Sequence, residues 1–333
     1  MPAPDCRSAD RRSVLASFAI ALALPKRGAA QPAQGLRRIG WISFVGTPGL
    51  RPSFVEALRE LGWNEGRNLA VETRHAEGRR DRLNALAAEL VAADVDLIVA
   101  VAPTAILATR QVTDSVPIVM AWWGGPDLVS SGVIASYSRP GGNITGVDML
   151  LSALDAKRLD LLREALPAAR RIGVLIHSQQ LFEPQLPGVR EVAARSGLTL
   201  EIVDTRDGTV GYAEALDSVL RLRCQALLVM SSPVFGRDRR LIVEQAARVR
   251  IPTMHPDALA VAAGGLMSYG TTLAHLDQLA ARQVDRILRG ARPADLPVEQ
   301  PSRYELALNL KTARELGLTI PKPLLLRADH LVE

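Results

Sequence analysis

Apolar runs recur along the chain and are separated by amphipathic stretches. Two of these runs open with the same four residues, Arg-Arg-Ile-Gly, at 37–40 and again 133 residues later at 170–173. In each copy an amphipathic segment, a second strand and another helix then lead to a continuous apolar run, at 96–101 and at 225–230. Such continuous runs are typical of parallel strands that are buried on both faces. The pattern therefore predicts two tandem copies of one α/β unit.

Periodicity predicts the individual elements of both copies. The first copy has strands near 38–45, 68–74, 96–101 and 117–122, with helices near 50–61, 80–93 and 104–112. The second begins with a helix near 153–166 and alternates strands and helices through 171–176, 186–196, 199–204, 210–221, 226–231, 237–249 and 251–254. A long helix near 272–289 ends at Gly290, and Asn309 is placed to cap a helix after a strand at 304–308.

Alternating strands and helices of this kind form parallel sheets with helices on both faces. We therefore predict an α/β fold with two similar doubly wound lobes: lobe 1 from 36–148 plus 271–297, and lobe 2 from 152–268 plus 302–333. Ligands of such sheets bind outside the carboxyl ends of the strands. With two lobes, these edges should face each other across a cleft.

Residues 1–30 have the three parts of an export signal. Basic residues precede an apolar run at 14–24, Pro25 ends the run, and Gly28-Ala29-Ala30 offers small residues for cleavage. Arg11-Arg12 matches the twin-arginine type of signal, and an ordinary Sec leader is the alternative. We expect a mature protein that begins near Gln31 and is located in the periplasm.

Composition narrows the classes of function. Much of the net charge of +5 lies in the predicted leader, and the rest of the chain has no Lys/Arg run with interleaved aromatic residues, so nucleic-acid binding is not expected. Neither cysteine, Cys6 or Cys224, belongs to a cluster with metal-ligand spacing. No catalytic constellation is recognisable. We expect a protein that is not an enzyme and has no cofactor and no metal site.

Candidate ligand-binding residues are those at the predicted carboxyl ends of the strands. In lobe 1 they are Ser43, Phe44, Thr47, Pro103, Thr104, Trp122, Trp123 and Asp127. In lobe 2 they are His177, Ser178, Gln179, Ser231, Ser232, Asp257 and Tyr269.

Several of these residues have structural alternatives. Thr104 either receives a carboxylate at a helix start or is a plain N-cap, and Asp127 either binds an amine or caps a turn. Adjacent strand residues point to opposite sides, so one of Trp122 and Trp123 should face the cleft. Tyr269 could pack the hinge instead. Because these loops supply few Arg or Lys residues, a neutral or zwitterionic solute is expected.

Four segments resemble a large family of ABC-transporter substrate-binding proteins. They are Gly-Gly-Leu-Met-Ser-Tyr-Gly at 264–270, Arg-Pro-Gly-Gly-Asn-Ile-Thr-Gly at 139–146, Pro-Ala-Asp-Leu-Pro-Val-Glu-Gln-Pro at 293–301 and Asn-Leu-Lys-Thr-Ala at 309–313. The resemblance spans about residues 36–333. It implies a type I periplasmic-binding-protein fold with a three-segment hinge, in a monomer that captures a small solute for an ABC permease in the inner membrane.

Some members of that family bind aromatic amino acids, and two positions bear on this activity. Asp127 matches an Asp of the family, although Leu128 stands where the family usually has Pro. The stretch 177–183 differs from the Ser-Glu-Ala-Asn-Ser loop of the aromatic-amino-acid members. The alternative function on the same fold is an extracytoplasmic sensor that presents its ligand state to a receptor.

Overall fold

The computed structural model describes residues 35–45, 49–177, 186–205 and 211–333. The predicted leader lies outside these ranges, as do the candidate residues Thr47, Ser178 and Gln179. Residues Leu36–Glu333 form one compact unit.

Lobe 1 is built on a parallel sheet that has five strands within the described residues, in the order β2-β1-β3-β4-β5. The strands are β1 (Arg37–Ser43), β2 (Leu69–His75), β3 (Leu97–Val101), β4 (Ile118–Trp123) and β5 (Ile144–Asp148). The helices between them are α1 (Pro52–Glu60), α2 (Leu83–Ala92), which follows a short 3-10 turn, and α3 (Ala102–Val112). The position of β1 between β2 and β3 is the doubly wound arrangement that the alternation predicted.

Lobe 2 repeats this plan on a sheet of seven described strands, in the order β12-β11-β10-β9-β8-β6-β7. Its elements are α4 (Leu151–Ala165), β6 (Arg171–Ile176), α5 (Leu186–Ser196), β7 (Thr199–Asp204), α6 (Gly211–Arg221), β8 (Ala226–Val229), α7 (Pro233–Arg237), α8 (Arg239–Arg248), β9 (Thr253–His255), α9 (Ala258–Ala262) and β10 (Met267–Gly270). After the helix α10 (Leu273–Leu288), the chain adds β11 (Glu305–Asn309), α11 (Leu310–Glu315), α12 (Lys322–Arg327) and β12 (His330–Val332).

Both faces of each sheet are covered by apolar cores. In lobe 1, Ile42, Ala100 and Met120 belong to the core on one face, whereas alternate residues such as Val99 and Val119 belong to the core on the other. Lobe 2 has an equivalent pair of cores. Burial on both sides explains why these strands read as continuous apolar runs rather than as alternating ones. The predicted fold class is confirmed.

Within the described residues, the chain passes between the lobes at three places. The first lies between β5 and α4, the second between β10 and α10, and the third before β11. Although α10 follows a strand of lobe 2, it packs on α1 and β4 of lobe 1. The bridge between Val147 and Glu299 joins β5, just before the first crossing, to the third crossing segment.

Two edge strands, β11 and β12, run opposite to the other strands of the lobe 2 sheet and so depart from the predicted parallel order. β11 pairs with β10 in the antiparallel sense, with Met267 opposite Leu308. It enters the sheet from the third crossing rather than through a helix packed on its own lobe, so the right-handed crossover that keeps neighbours parallel is missing. A mixed edge of this kind is common in doubly wound sheets.

Helix starts agree with the sequence in two cases. The side chain of Asn309 accepts a hydrogen bond of 2.9 Å from the N–H of Thr312, which confirms the predicted cap. Helix α1 starts at Pro52, inside the range of 50–61 predicted for it, and proline is favoured in the first turn of a helix. The hydroxyl of Ser53 does not cap this helix but donates to Asp277 on α10.

None of the helices in the described part of the chain is both long enough and apolar enough to cross a membrane.

Candidate functional site

A cavity of about 520 Å³ lies between the lobes. Lobe 1 lines it with residues at the carboxyl ends of β1, β2, β3 and β4, and lobe 2 with residues that follow β8 and β9. The crossing segments contribute Met149, Thr271 and Leu273. We call this space the interlobe cavity; its other lining residues are Trp41, Ser43, Val45, Gly49, Arg51, His75, Val101, Trp122, Ser231, Ser232, Pro233, Gly236, Arg237, Arg239, Pro256, Asp257 and Leu276.

Ser43 and His75 form a polar pair on the lobe 1 wall. They are opposite each other in the parallel register of β1 and β2, and the Ser43 hydroxyl lies 2.7 Å from Nδ1 of His75. Burial lowers the pKa of His75, and the charge of Glu77 opposes this shift. The imidazole is therefore neutral at pH 7. Its Nε2 is buried and has no hydrogen-bond partner, which leaves it to accept from or donate to a ligand.

The two adjacent tryptophans of β4 have different environments. Trp122 is half-buried and lines the interlobe cavity. Trp123 is buried in the core of lobe 1, where its Nε1 donates a hydrogen bond of 2.6 Å to the carbonyl of Pro126. The opposite directions follow from the alternation of side chains along a strand. Trp122 is thus the member of the pair that a ligand can contact.

Arg51 lines the cavity, and its positive charge is neutralised by a carboxylate of the protein. Its guanidinium forms a bidentate ion pair with Asp277, whose side chain is fully buried on α10, and stacks 5.0 Å from the ring centroid of Trp41. Ser53 donates to the same carboxylate. The pair fixes the start of α1 against α10 and holds the rim of the cavity in place.

On the lobe 2 wall, the polar residues form hydrogen bonds with other groups of lobe 2. Arg158 is completely buried in α4 and donates a hydrogen bond of 2.9 Å to the hydroxyl of Ser231. The Ser232 hydroxyl accepts from the N–H of Val234 at 3.2 Å and caps α7. Oδ1 of Asp257 accepts from the N–H of Leu259 at 3.0 Å and caps α9. These bonds orient the wall without a ligand.

Arg237 and Arg239 also line the cavity, but they differ in their partners. Arg237 forms two hydrogen bonds with Asp238, of 2.6 and 2.9 Å. Arg239 has an ion pair with Asp257 at 3.9 Å, which is longer than a hydrogen bond, and its buried Nε has no hydrogen-bond partner.

Other candidate residues of lobe 1 lie outside the lining of the interlobe cavity. Phe44 is buried in the core, and Pro103 sits in the first turn of α3. Thr104 faces a separate groove between α2 and α3. Asp127 is exposed and accepts a 2.7 Å hydrogen bond from the N–H of Ser130, which holds the pKa of Asp127 below its usual range. Asp127 therefore caps a turn, the alternative that the sequence left open.

In lobe 2, His177 and Tyr269 also lie away from the lining. His177 is buried beside Phe235, with ring centroids 6.2 Å apart, and burial lowers the pKa of His177. Tyr269 stacks on Tyr304 at 5.9 Å, close to the second and third crossings. Packing at the hinge is the role that this contact supports.

The expectation of few cationic side chains at the site is wrong. In the described part of the chain, three arginines line the interlobe cavity: Arg51, Arg237 and Arg239. These arginines lie at helix starts and in α7. The prediction relied on the residues that directly follow the strands, and the arginines are not among them. Because they lie on helices, these arginines are several residues away from the strand ends in the sequence.

Two further lining residues could have been found from strand geometry. Trp41 lies on the same face of β1 as Ser43, because alternate residues share a face. His75 is the last residue of β2, one position beyond the predicted end of that strand. Among the described residues no three His, Cys, Asp or Glu side chains are grouped to hold a metal ion.

The chain is similar to several known proteins over most of its length. The chain is 24% identical over 286 residues to the tyrosine-binding protein of Clostridioides difficile (strain R20291), covering 85% of this chain and 81% of that protein. It superposes with a TM-score of 0.78 on an ABC domain from Streptococcus pneumonia solved in complex with L-Trp, at 24% identity over 89% of this chain and 99% of that one.

A conserved domain protein from Vibrio cholerae O1 biovar El Tor superposes with a TM-score of 0.80, at 22% identity over 89% of this chain and 99% of that one. The family described as "ABC transporter substrate binding protein" matches residues 39–332. Matched over most of its length, the chain belongs to the family of ABC transporter substrate-binding proteins.

Proposed function

We propose that this chain is the exported solute-binding component of an ABC importer, which captures a small, amino-acid-like solute and delivers it to a permease in the inner membrane. The observation that carries the proposal is the interlobe cavity of about 520 Å³, lined by both lobes and by the crossing segments. A solute that contacts both walls stabilises the closed arrangement of the lobes by its greater affinity for it.

The walls fit a small solute with a flat apolar part. The volume is within the usual range for ligand sites, about 300–1,000 Å³. Trp122 offers a partly exposed aromatic face, whereas Trp41 borders the cavity but is buried beneath Arg51. Nε2 of His75 provides a polar atom without a protein partner. The relatives named for tyrosine binding and solved with L-Trp support an amino-acid-like ligand here.

A ligand screen tests this proposal directly. Purified protein that starts at Gln31 should show a raised melting temperature with one compound of a panel of amino acids, small acids and sugars. Trp122→Ala should weaken the binding of that compound in calorimetry by roughly 10-fold or more, because an aromatic contact and its buried area are lost. The control is Leu326→Ala, at a side chain that is 77% exposed. A panel without any stabilising compound would contradict the proposal.

Export rests on residues 1–30 and has its own experiment. Cell fractionation and N-terminal sequencing should recover a periplasmic protein that begins near Gln31. Replacement of Arg11 and Arg12 by lysine should block export by the twin-arginine route, and unchanged export would indicate the Sec route. Recovery of the whole chain with residues 1–30 from the cytoplasm would contradict the export proposal.

A further inference from the structure

Arg239 differs from the two other arginines of the interlobe cavity in its lack of a strong carboxylate partner. Arg51 is bound by Asp277 and Arg237 by Asp238, in both cases with hydrogen bonds to the carboxylate. The ion pair of Arg239 with Asp257 is 3.9 Å long and includes no hydrogen bond. A buried guanidinium N–H without an acceptor is unfavourable, and a ligand oxygen would satisfy it.

Asp257 carries the charge opposite to that of Arg239 and is also accessible to a ligand in the cavity. Its Oδ1 accepts the capping hydrogen bond from Leu259, so the carboxylate is fixed in direction while Oδ2 can accept from a ligand. Both residues line the cavity, and both side chains are partly exposed, at 28% for Arg239 and 27% for Asp257. A cation and an oriented anion therefore lie side by side, and no hydrogen bond joins them, so each can form hydrogen bonds with a ligand.

This arrangement matches the two charges of an α-amino acid. The ammonium and carboxylate groups of the zwitterion are joined through one carbon, so they can face Asp257 and Arg239 at the same time. Arg binds a carboxylate through paired N–H donors, and an ammonium requires an acceptor such as a carboxylate oxygen. A Cβ at Gly236 would lie 3.8 Å from Nη2 of Arg239, so the absence of a side chain there keeps this approach to the guanidinium clear.

We propose that Arg239 and Asp257 together bind the zwitterion of an α-amino acid, whose side chain lies toward Trp122. This inference rests on the proposed function and assigns its ligand class and its charged contacts. It replaces Thr104 and Asp127, which the sequence offered for the same two charges and which the structure places outside the lining.

The test compares three probes that differ only in charged groups. L-Phenylalanine has both charges, phenylacetate has only the carboxylate, and phenethylamine has only the ammonium. In calorimetry on the wild-type protein, L-phenylalanine should bind and each of the other two should bind roughly 10- to 150-fold more weakly, as expected for one lost charged hydrogen bond. Phenylacetate or phenethylamine binding as tightly as L-phenylalanine would overturn the inference.

Two conservative variants assign the charges to residues. Arg239→Gln should weaken L-phenylalanine and phenylacetate but not phenethylamine, since it removes only the guanidinium. Asp257→Asn should weaken L-phenylalanine and phenethylamine but not phenylacetate, and the asparagine can still cap α9. Unfolding curves of both variants check that they fold. Unchanged affinity for L-phenylalanine in both variants would overturn the assignment.

The outcome also separates this inference from the function on which it rests. If no amino acid of the panel binds while a sugar or a small acid without an ammonium group stabilises the protein, the zwitterion inference is wrong and the solute-binding proposal stands. If no compound of the panel binds, the solute-binding proposal itself fails.

Discussion

At the residue scale, Asp277 shows how a site residue can depend on a buried partner. Its carboxylate is completely buried and binds Arg51 and Ser53, both from the start of α1. Without this charge, the Arg51 guanidinium would be left in a partly buried position with no counter-ion. The geometry of the lobe 1 wall therefore depends on a residue 226 positions away along the chain.

We predict that Asp277→Asn lowers the free energy of unfolding by about 3 kcal/mol, because it breaks a buried ion pair and leaves one charge behind. The matched control is Asp295→Asn, which breaks the exposed pair with Arg292 and should cost less than about 1 kcal/mol. Urea denaturation followed by circular dichroism measures both. Equal losses in the two variants would contradict this account.

His255 makes stability depend on pH. The side chain is fully buried in β9, next to the Thr253 hydroxyl at 2.9 Å, and burial lowers the pKa of His255 to about 3 from its ordinary value of 6.5. The unfolded chain therefore binds a proton below pH 6.5 that the folded chain does not bind. The contribution to stability is complete above pH 6.5 and is lost as the pH falls toward the folded-state pKa.

The predicted loss from this one histidine is about 2 kcal/mol of unfolding free energy between pH 6.5 and pH 5. In His255→Gln the decline over the same interval should be smaller by that amount, because glutamine does not titrate. Denaturant titrations of both proteins at several pH values measure the difference. Parallel declines in the two proteins would show that the folded protein accepts the proton.

The sequence could identify those site residues whose side-chain direction follows from the alternation of side chains along a strand. Ser43 is the last residue of β1 and Trp122 the penultimate residue of β4, so both line the cavity at the carboxyl edge of the sheet. Thr104 and Asp127 also follow strands, yet one faces a groove between helices and the other caps an exposed turn. The direction of a side chain beyond a strand end depends on the path of the loop, which periodicity does not specify.

At the element scale, the strand β5 depends on the close approach of Gly146 to β4. A Cβ at this position would lie 2.3 Å from the carbonyl oxygen of Met120, and the φ angle of Gly146 is +140°. Both facts require glycine. Gly142, four residues earlier in the same segment, has open space around it.

We predict that Gly146→Ala destabilises the protein by more than about 2 kcal/mol, since the methyl group must displace the backbone of β4. Gly142→Ala should change stability by less than about 0.5 kcal/mol, as is usual for open surface positions. Thermal unfolding of the two variants provides the comparison. A Gly146→Ala protein as stable as the Gly142→Ala protein would mean that β5 moves freely against its neighbour.

The elements that sequence predicted well are those whose burial is uniform. β3 and β8 are buried along their whole length. Their sequences are therefore continuously apolar and can be recognised as strands without knowledge of how the sheet is arranged. The prediction has no helix between the strand at 226–231 and the helix at 237–249, where α7 lies, because five residues are too few to show a helical period. The antiparallel sense of β11 depends on the third crossing, which is a property of the topology rather than of local sequence.

At the scale of the whole molecule, the internal repeat becomes two lobes that touch across the interlobe cavity. Val234, in the first turn of α7 in lobe 2, is buried within the apolar core cluster of lobe 1. Three crossing segments link the lobes, and residues of two of them line the cavity. Because both walls belong to one cavity, a change in the relative position of the lobes must change the site.

Small-angle X-ray scattering with and without ligand tests the central claim most directly. The ligand is the compound that gives the largest thermal stabilisation in the panel, added at a concentration that calorimetry shows to be saturating. We predict a smaller radius of gyration on saturation, because the solute favours the closed arrangement of the lobes. An identical radius of gyration for the free and the saturated protein would contradict the claim that the solute is held between moving lobes.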